Sequence, residues 1–242
     1  KECHEFLKMK PPALQKFGVL SPRPHCECPD AQPLKWQHNI PIFSFIAAKG
    51  CCPICKTSAI PKFYLTIELL FPLLTWFTYQ HFYLPEQAFA AILFTWAALL
   101  LGCIDYRSQL LPDHLTLSML WLGLLCNSYH IFIPLGHAVW GAAFGYILPW
   151  SIAKSYSFFS KKEGMGYGDF KILAMFGAWF GAFWILTILM LASFIFLGVA
   201  ILLKFKGEPI FGTQRPFGPM LVTAAWCHLM WGSEIVYFFL GI

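Results

Sequence analysis

Charge is what this sequence has least of. Only 12% of its 242 residues are Asp, Glu, Lys or Arg, about half the share in an ordinary soluble domain. Hydrophobic residues make up 58% and aromatics 18%. That balance points to membrane integration and excludes a typical soluble core. No N-terminal signal peptide is visible. The opening KECHEFLKMK is polar and basic, with no apolar segment behind it. Repeats and low-complexity tracts are missing. So are HExxH and GxSxG, and the histidines are scattered, which argues against metallo- and serine peptidases.

What is present is a succession of long apolar runs. They place membrane spans at roughly 62–83, 86–106, 114–133, 136–156, 168–182, 184–203 and 217–239. The weakest boundary lies in 170–204. One helix of about 35 residues would reach about 50 Å, too long for a bilayer core, so the run is divided near Gly181. With this division all 17 Lys and Arg fall on one side of the membrane. The opposite connections, YLPEQ (83–87) and NSYHIFIPLGH (127–137), contain none. The positive-inside rule then puts the N-terminal region and the GYGD loop in the cytoplasm. The expected fold is an all-α polytopic membrane protein. Seven transmembrane helices occupy 62–242, and a small loop-rich cytoplasmic domain occupies 1–61.

The 1–61 region is rich in proline and basic residues and has little apolar periodicity. A domain with so thin a core usually needs a staple. Cys52-Pro-Ile-Cys55 is a CxxC knuckle, a spacing that brings two thiolates to one tetrahedral zinc. Cys26 and Cys28 supply a second pair, with His25 as an alternative ligand. The competing reading is free thiols, since a reducing cytoplasm argues against disulfides. Cys103, Cys126 and Cys227 lie in spans and read as small buried hydrophobes.

Acids in or near the spans are few: Glu68, Asp105, Asp113, Asp169 and Glu234. Intramembrane carboxylates are costly and mark functional sites by default. Glu68 either pairs with Lys62 or meets a substrate. Asp113 follows Leu-Leu-Pro and is expected to cap the third span's helix. Asp105 closes the run AALLLGCI, and its bland alternative is a partnership with Arg107. Asp169 follows glycines at 164, 166 and 168 in GMGYGD, and its bland alternative is a helix cap. Asp105 and Asp169 lie on different spans at the same membrane face. Two facing carboxylates can share one proton, because the first charge opposes the second ionisation. The ionised member takes a proton from water, and the protonated member polarises a scissile carbonyl. That is aspartic peptidase chemistry. Gly166 and Gly168 suit it by leaving room for substrate backbone.

These residues resemble a known family. IDYRSQLLPDHLTLSMLWLGLLCNS (104–128), GMGYGDFKILAMFGAW (164–179) and RPFGPML (215–221) are similar to segments of the bacterial type IV prepilin peptidases. So are NIPIFSFIAAKGCCPIC (39–55) and IPKFYLTIELL (60–70). The resemblance implies a polytopic GxGD aspartic peptidase of the bacterial inner membrane, with its N-terminal region and catalytic loops facing the cytoplasm. It implies removal, after a glycine, of the basic leader from type IV prepilins and type II secretion pseudopilins. It also implies N-methylation of the new N-terminal residue with S-adenosylmethionine. The catalytic aspartates fall on Asp105 and Asp169, and the second cysteine pair of a zinc site on Cys52 and Cys55.

Two departures stand out. Ala31 occupies the place of the second cysteine in the family's first CxxC, so Cys26 and Cys28 offer CxC instead. A further N-terminal span is expected in the full family, giving eight spans against seven here. The S-adenosylmethionine site is not identified, and Gly50 is a candidate by position only. The basic face is expected to meet lipid head groups rather than nucleic acid. Two other readings stay open: a peptidase alone with a degenerate cytoplasmic domain, and a membrane transporter or scaffold using the aspartates as an ion path. The GxGD context speaks against the last.

Overall fold

The computed structural model describes residues 62–160, 166–207 and 216–240, together with Phe45, Ala47, Gly50 and Cys51. The described chain is all-helical. Its elements are α1 (Lys62–His81), α2 (Pro85–Ser108), α3 (Asp113–Ser128), α4 (Leu135–Ser160), α5 (Tyr167–Phe180), α6 (Ala182–Phe205) and α7 (Gly218–Leu240). Two compact units divide at Pro72, inside α1. A proline there removes one helical amide, which loosens the helix at that point.

The break expected near Gly181 is present. Gly181 takes φ 93° and ψ 170° between α5 and α6. A side chain tolerates that conformation poorly. Its amide still donates to the Gly177 carbonyl at 2.8 Å, closing α5.

The seven-span count is met only in part. By length and composition α2 and α6 can cross a membrane. α5 has 14 residues and α3 has 16. At 1.5 Å per residue they reach about 21 and 24 Å, short of a bilayer core of about 30 Å. α1, α4 and α7 are long enough, but polar residues, glycine and proline interrupt their apolar runs. The outward surface is nevertheless greasy. Trp121, Trp140, Phe158, Phe159, Phe183 and Phe205 are all exposed. Water-facing monomers rarely present so much large apolar surface.

The core of the second unit is built around α5. From Ile172 to Phe180 every residue of that helix is buried. A helix apolar on all faces must be covered on all faces, and α3, α4, α6 and α7 pack on it. α2 adds Phe94, whose ring lies 5.9 Å from Phe176, 5.1 Å from Trp179 and 5.0 Å from Phe180. α4 comes closest. Gly141 and Gly145 on α4 face the backbone of Gly177, Gly181 and Leu173 so tightly that a methyl group at either would overlap it. Both helices carry the small-xxx-small spacing that brings helix backbones together in membranes.

Polar groups fasten the far end. Asn127 is fully buried. Its amide donates to the carbonyls of Ala178 and Trp179 at 2.9 and 3.2 Å, satisfying part of α5's open C-terminus. Its carbonyl accepts from the amides of Phe132 and Ile133 at 3.2 Å. Trp179 Nε1 donates to the Met119 carbonyl at 2.8 Å. These bonds fix α5 along its axis and so fix where its N-terminus stands.

Candidate active site

Asp105 lies one turn from the end of α2 and is only 6% exposed. A carboxylate near a helix C-terminus meets the negative end of the helix dipole, so it needs a donor. It has one from another helix. The Gly218 amide, at the first residue of α7, donates to Asp105 Oδ2 at 3.0 Å. Beyond Asp105 the chain turns back at Gln109, whose φ of 53° is left-handed and whose amide bonds to the Asp105 carbonyl.

Asp169 stands in the first turn of α5. Gly166, not Asp169, is the N-cap residue, and as glycine it has no side chain to cap the helix with. Asp169 is the third helical residue, and the Gly166 amide acts on its carboxylate as a hydrogen-bond donor. An acid at this position is favoured by the positive end of the dipole. The Asp105 carboxylate is near enough to act on Asp169 electrostatically. The structure thus brings together the two acids that the sequence singles out, with the N-terminus of α5 on one and that of α7 on the other.

The glycines of the motif take different parts. Gly166 has φ −72° and ψ 147°, which any residue adopts, and its open side faces Asp169 Oδ2. Gly168 is covered: a methyl there would lie 3.0 Å from Leu111 Cδ1. Leu111 belongs to the connection after α2, so Gly168 lets that connection close over α5. Gly164 lies outside the described residues.

Asp113 is not the cap expected of it. Pro112 holds the N-cap position of α3 without a side-chain bond, and Asp113 follows it as the first helical residue. Asp113 Oδ1 instead receives Lys171 Nζ at 2.6 Å, tying α3 to α5 beside Asp169.

The zinc candidates Cys26, Cys28, Cys52 and Cys55, with His25, lie outside the described residues. Among the described residues no group of three or more His, Cys, Asp or Glu is placed to hold a metal. Cys103, Cys126 and Cys227 are free and partly buried. Gly50 takes φ 75° and donates its amide to the Phe45 carbonyl at 3.0 Å, so a turn accounts for that glycine.

Gly218 lies in RPFGPML (215–221), but nothing in the sequence assigns it a task. A glycine followed by proline at a helix start was the available signal. Asn127 and Leu111 lie in the 104–128 segment of the resemblance and carry no further signal in the sequence.

Comparison with known proteins identifies the family. Residues 92–202 match the type IV leader peptidase family, and residues 5–82 match the bacterial peptidase A24 N-terminal domain. A prepilin leader peptidase/N-methyltransferase of Stutzerimonas stutzeri is 42% identical over 238 residues, covering 97% of this chain and 81% of its own length. The protein of the same description from Pseudomonas aeruginosa is 41% identical, with 97% and 80% covered. That from Dichelobacter nodosus is 39% identical, with 91% and 75% covered. No solved structure matches. With a relative this similar over nearly the whole sequence, the chain belongs to the type IV leader peptidase family.

Proposed function

We propose that this chain is an aspartic endopeptidase of the bacterial inner membrane that removes the basic leader from type IV prepilins and type II pseudopilins. Cleavage follows a glycine at the cytoplasmic face, and the exposed N-terminal residue is then N-methylated. The observation that carries the peptidase reading is the pair Asp105 and Asp169, two carboxylates within electrostatic reach of each other at two helix N-termini. Similar proteins described as prepilin leader peptidase/N-methyltransferase support both activities.

In this mechanism the two carboxylates hold one proton between them. The ionised one takes a proton from a water molecule, whose oxygen attacks the scissile carbonyl carbon. The protonated one donates to the carbonyl oxygen as charge develops there. Collapse breaks the C–N bond and the amine leaves with a proton from the pair. S-adenosylmethionine supplies the methyl group for the second activity. In the same reading residues 1–61 form a cytoplasmic domain that holds zinc through Cys26, Cys28, Cys52 and Cys55. Residues 62–242 form the membrane peptidase domain, and the basic face meets anionic lipid.

The deciding experiment incubates the purified protein with a prepilin and follows leader removal. Asp105→Asn and Asp169→Asn each abolish cleavage while the protein remains inserted. Complete processing by either variant sinks the two-aspartate mechanism. Ala31, standing where a fourth cysteine would align, favours one second reading, a peptidase without methyl transfer. Mass spectrometry of the product separates them: a mature N-terminus carrying an added methyl group excludes that version.

A further inference from the structure

We infer that Gly218 is a positioning residue for the cleavage reaction, setting the direction of the Asp105 carboxylate from the start of α7. The inference rests on the two-aspartate reading above. Three observations carry it. The Gly218 amide donates to Asp105 Oδ2 at 3.0 Å, across 113 residues of sequence. A methyl group at 218 would lie 2.7 Å from Asp105 Cγ, closer than real Cβ contacts come, and 3.0 Å from its Cβ, a tight contact. The backbone at Gly218 is not in the left-handed region, so glycine is required there for the space it leaves and not for its conformation.

The contact is held by packing on the same face. Gly102, one turn before Asp105, faces α7: a methyl there would lie in ordinary contact with Val222 at 3.5 Å and Pro219 at 3.7 Å. Leu101, Leu221 and Ala225 are buried in the same cluster. α2 and α7 are therefore locked together just behind the carboxylate. The carboxylate cannot rotate toward α7, because the Gly218 backbone fills that side, and the amide holds one oxygen in place. The other oxygen is left for Asp169 and substrate. An amide at the first position of a helix has no partner within the helix, so serving Asp105 costs α7 nothing.

The test uses the full chain in detergent or nanodiscs with a prepilin substrate. It measures kcat and KM for wild type, Gly218→Ala, Asp105→Asn and Gly198→Ala. Gly198 on α6 has open space around it and serves as a control of equal chemistry. Gly218→Ala is expected to lower kcat by about 100-fold, the scale for a small misplacement of a reacting group, with KM unchanged and Gly198→Ala at wild-type rates. Thermal unfolding adds a readout independent of activity. Gly218→Ala lowers Tm, and adding Asp105→Ala removes most of that loss, because the two side chains compete for the same space.

If Asp105→Asn still cleaves, the two-aspartate reading and this inference fall together. If Asp105→Asn is dead but Gly218→Ala keeps its kcat, the inference alone falls. A Gly218→Ala protein too unstable to assay is decided by the double variant: recovery of folding supports direct contact, and no recovery overturns it.

Discussion

Gly141 of α4 and Gly177 of α5 meet backbone against backbone, each standing where the other's methyl group would be. This contact presses the short, wholly buried α5 against the longer α4. It matters for the site because Asp169 is carried on the first turn of α5. Replacing either glycine must push the helices apart or distort them. Gly177→Ala and Gly141→Ala are expected to destabilise the protein by about 1–3 kcal/mol, the usual cost of overpacking a tight core. Gly136→Ala and Gly198→Ala, both in open space, should leave Tm unchanged. Thermal unfolding in detergent checks all four, and a Gly177→Ala protein as stable as the controls contradicts the packing.

Asn127 is the second support. It satisfies two carbonyls at the end of α5 and two amides of the connection between α3 and α4, and it is itself fully buried. Asn127→Leu has a similar volume and none of these bonds. Each buried group left unsatisfied costs about 1–3 kcal/mol, so the variant should insert poorly or unfold at a much lower temperature. Asn127→Asp keeps the acceptor for Phe132 and Ile133 but turns an oxygen toward the Ala178 and Trp179 carbonyls. It should be as damaging as the leucine. Expression level and Tm in detergent report both.

Asp113 provides a contrast with the proposed catalytic acids. Its ion pair with Lys171 is short, but Asp113 is more than half exposed. Exposed pairs contribute about 0–1 kcal/mol and weaken with salt. Asp113→Asn should therefore retain prepilin cleavage within a few-fold of wild type and lose little stability. Complete loss of cleavage would place Asp113 among the reacting groups and would require a different account of the site.

The candidate pair was legible because carboxylates are scarce in this chain. Two acids at the ends of apolar runs stand out in a way that a tenth surface glutamate would not. The break at Gly181 was legible for a geometric reason, since an unbroken helix would overshoot the bilayer. What holds the acids in place was not legible. Gly218 reaches Asp105 across the fold, and nothing local to either residue announces the other. Asp113 looked like a cap because caps are local and common, whereas its partner Lys171 is 58 positions away. The seven helices were legible, but which of them cross a bilayer was less so, for a related reason. Apolar composition reports burial in protein as well as in lipid, and α5 is apolar because other helices surround it.

Gly168 separates two explanations of the GxGD glycines. One is that they leave room for substrate backbone at the acids. The other follows from the contact with Leu111: Gly168 is small so that the connection after α2 can close over α5. The two differ in what should rescue a substitution. Gly168→Ala places a methyl 3.0 Å from Leu111 Cδ1 and 3.3 Å from its Cβ. The first of these atoms is the free end of a side chain and can yield, so the cost should be modest, about 1 kcal/mol, at the lower end of overpacking. If packing is the reason for glycine, Leu111→Ala added to Gly168→Ala should restore much of the lost cleavage, because it empties the space the methyl needs. If substrate backbone is the reason, the double variant should cleave no better than Gly168→Ala alone, and its KM for prepilin should stay raised. Steady-state cleavage by the two single variants and the double variant decides between them, and the contact with Leu111 leads us to expect rescue.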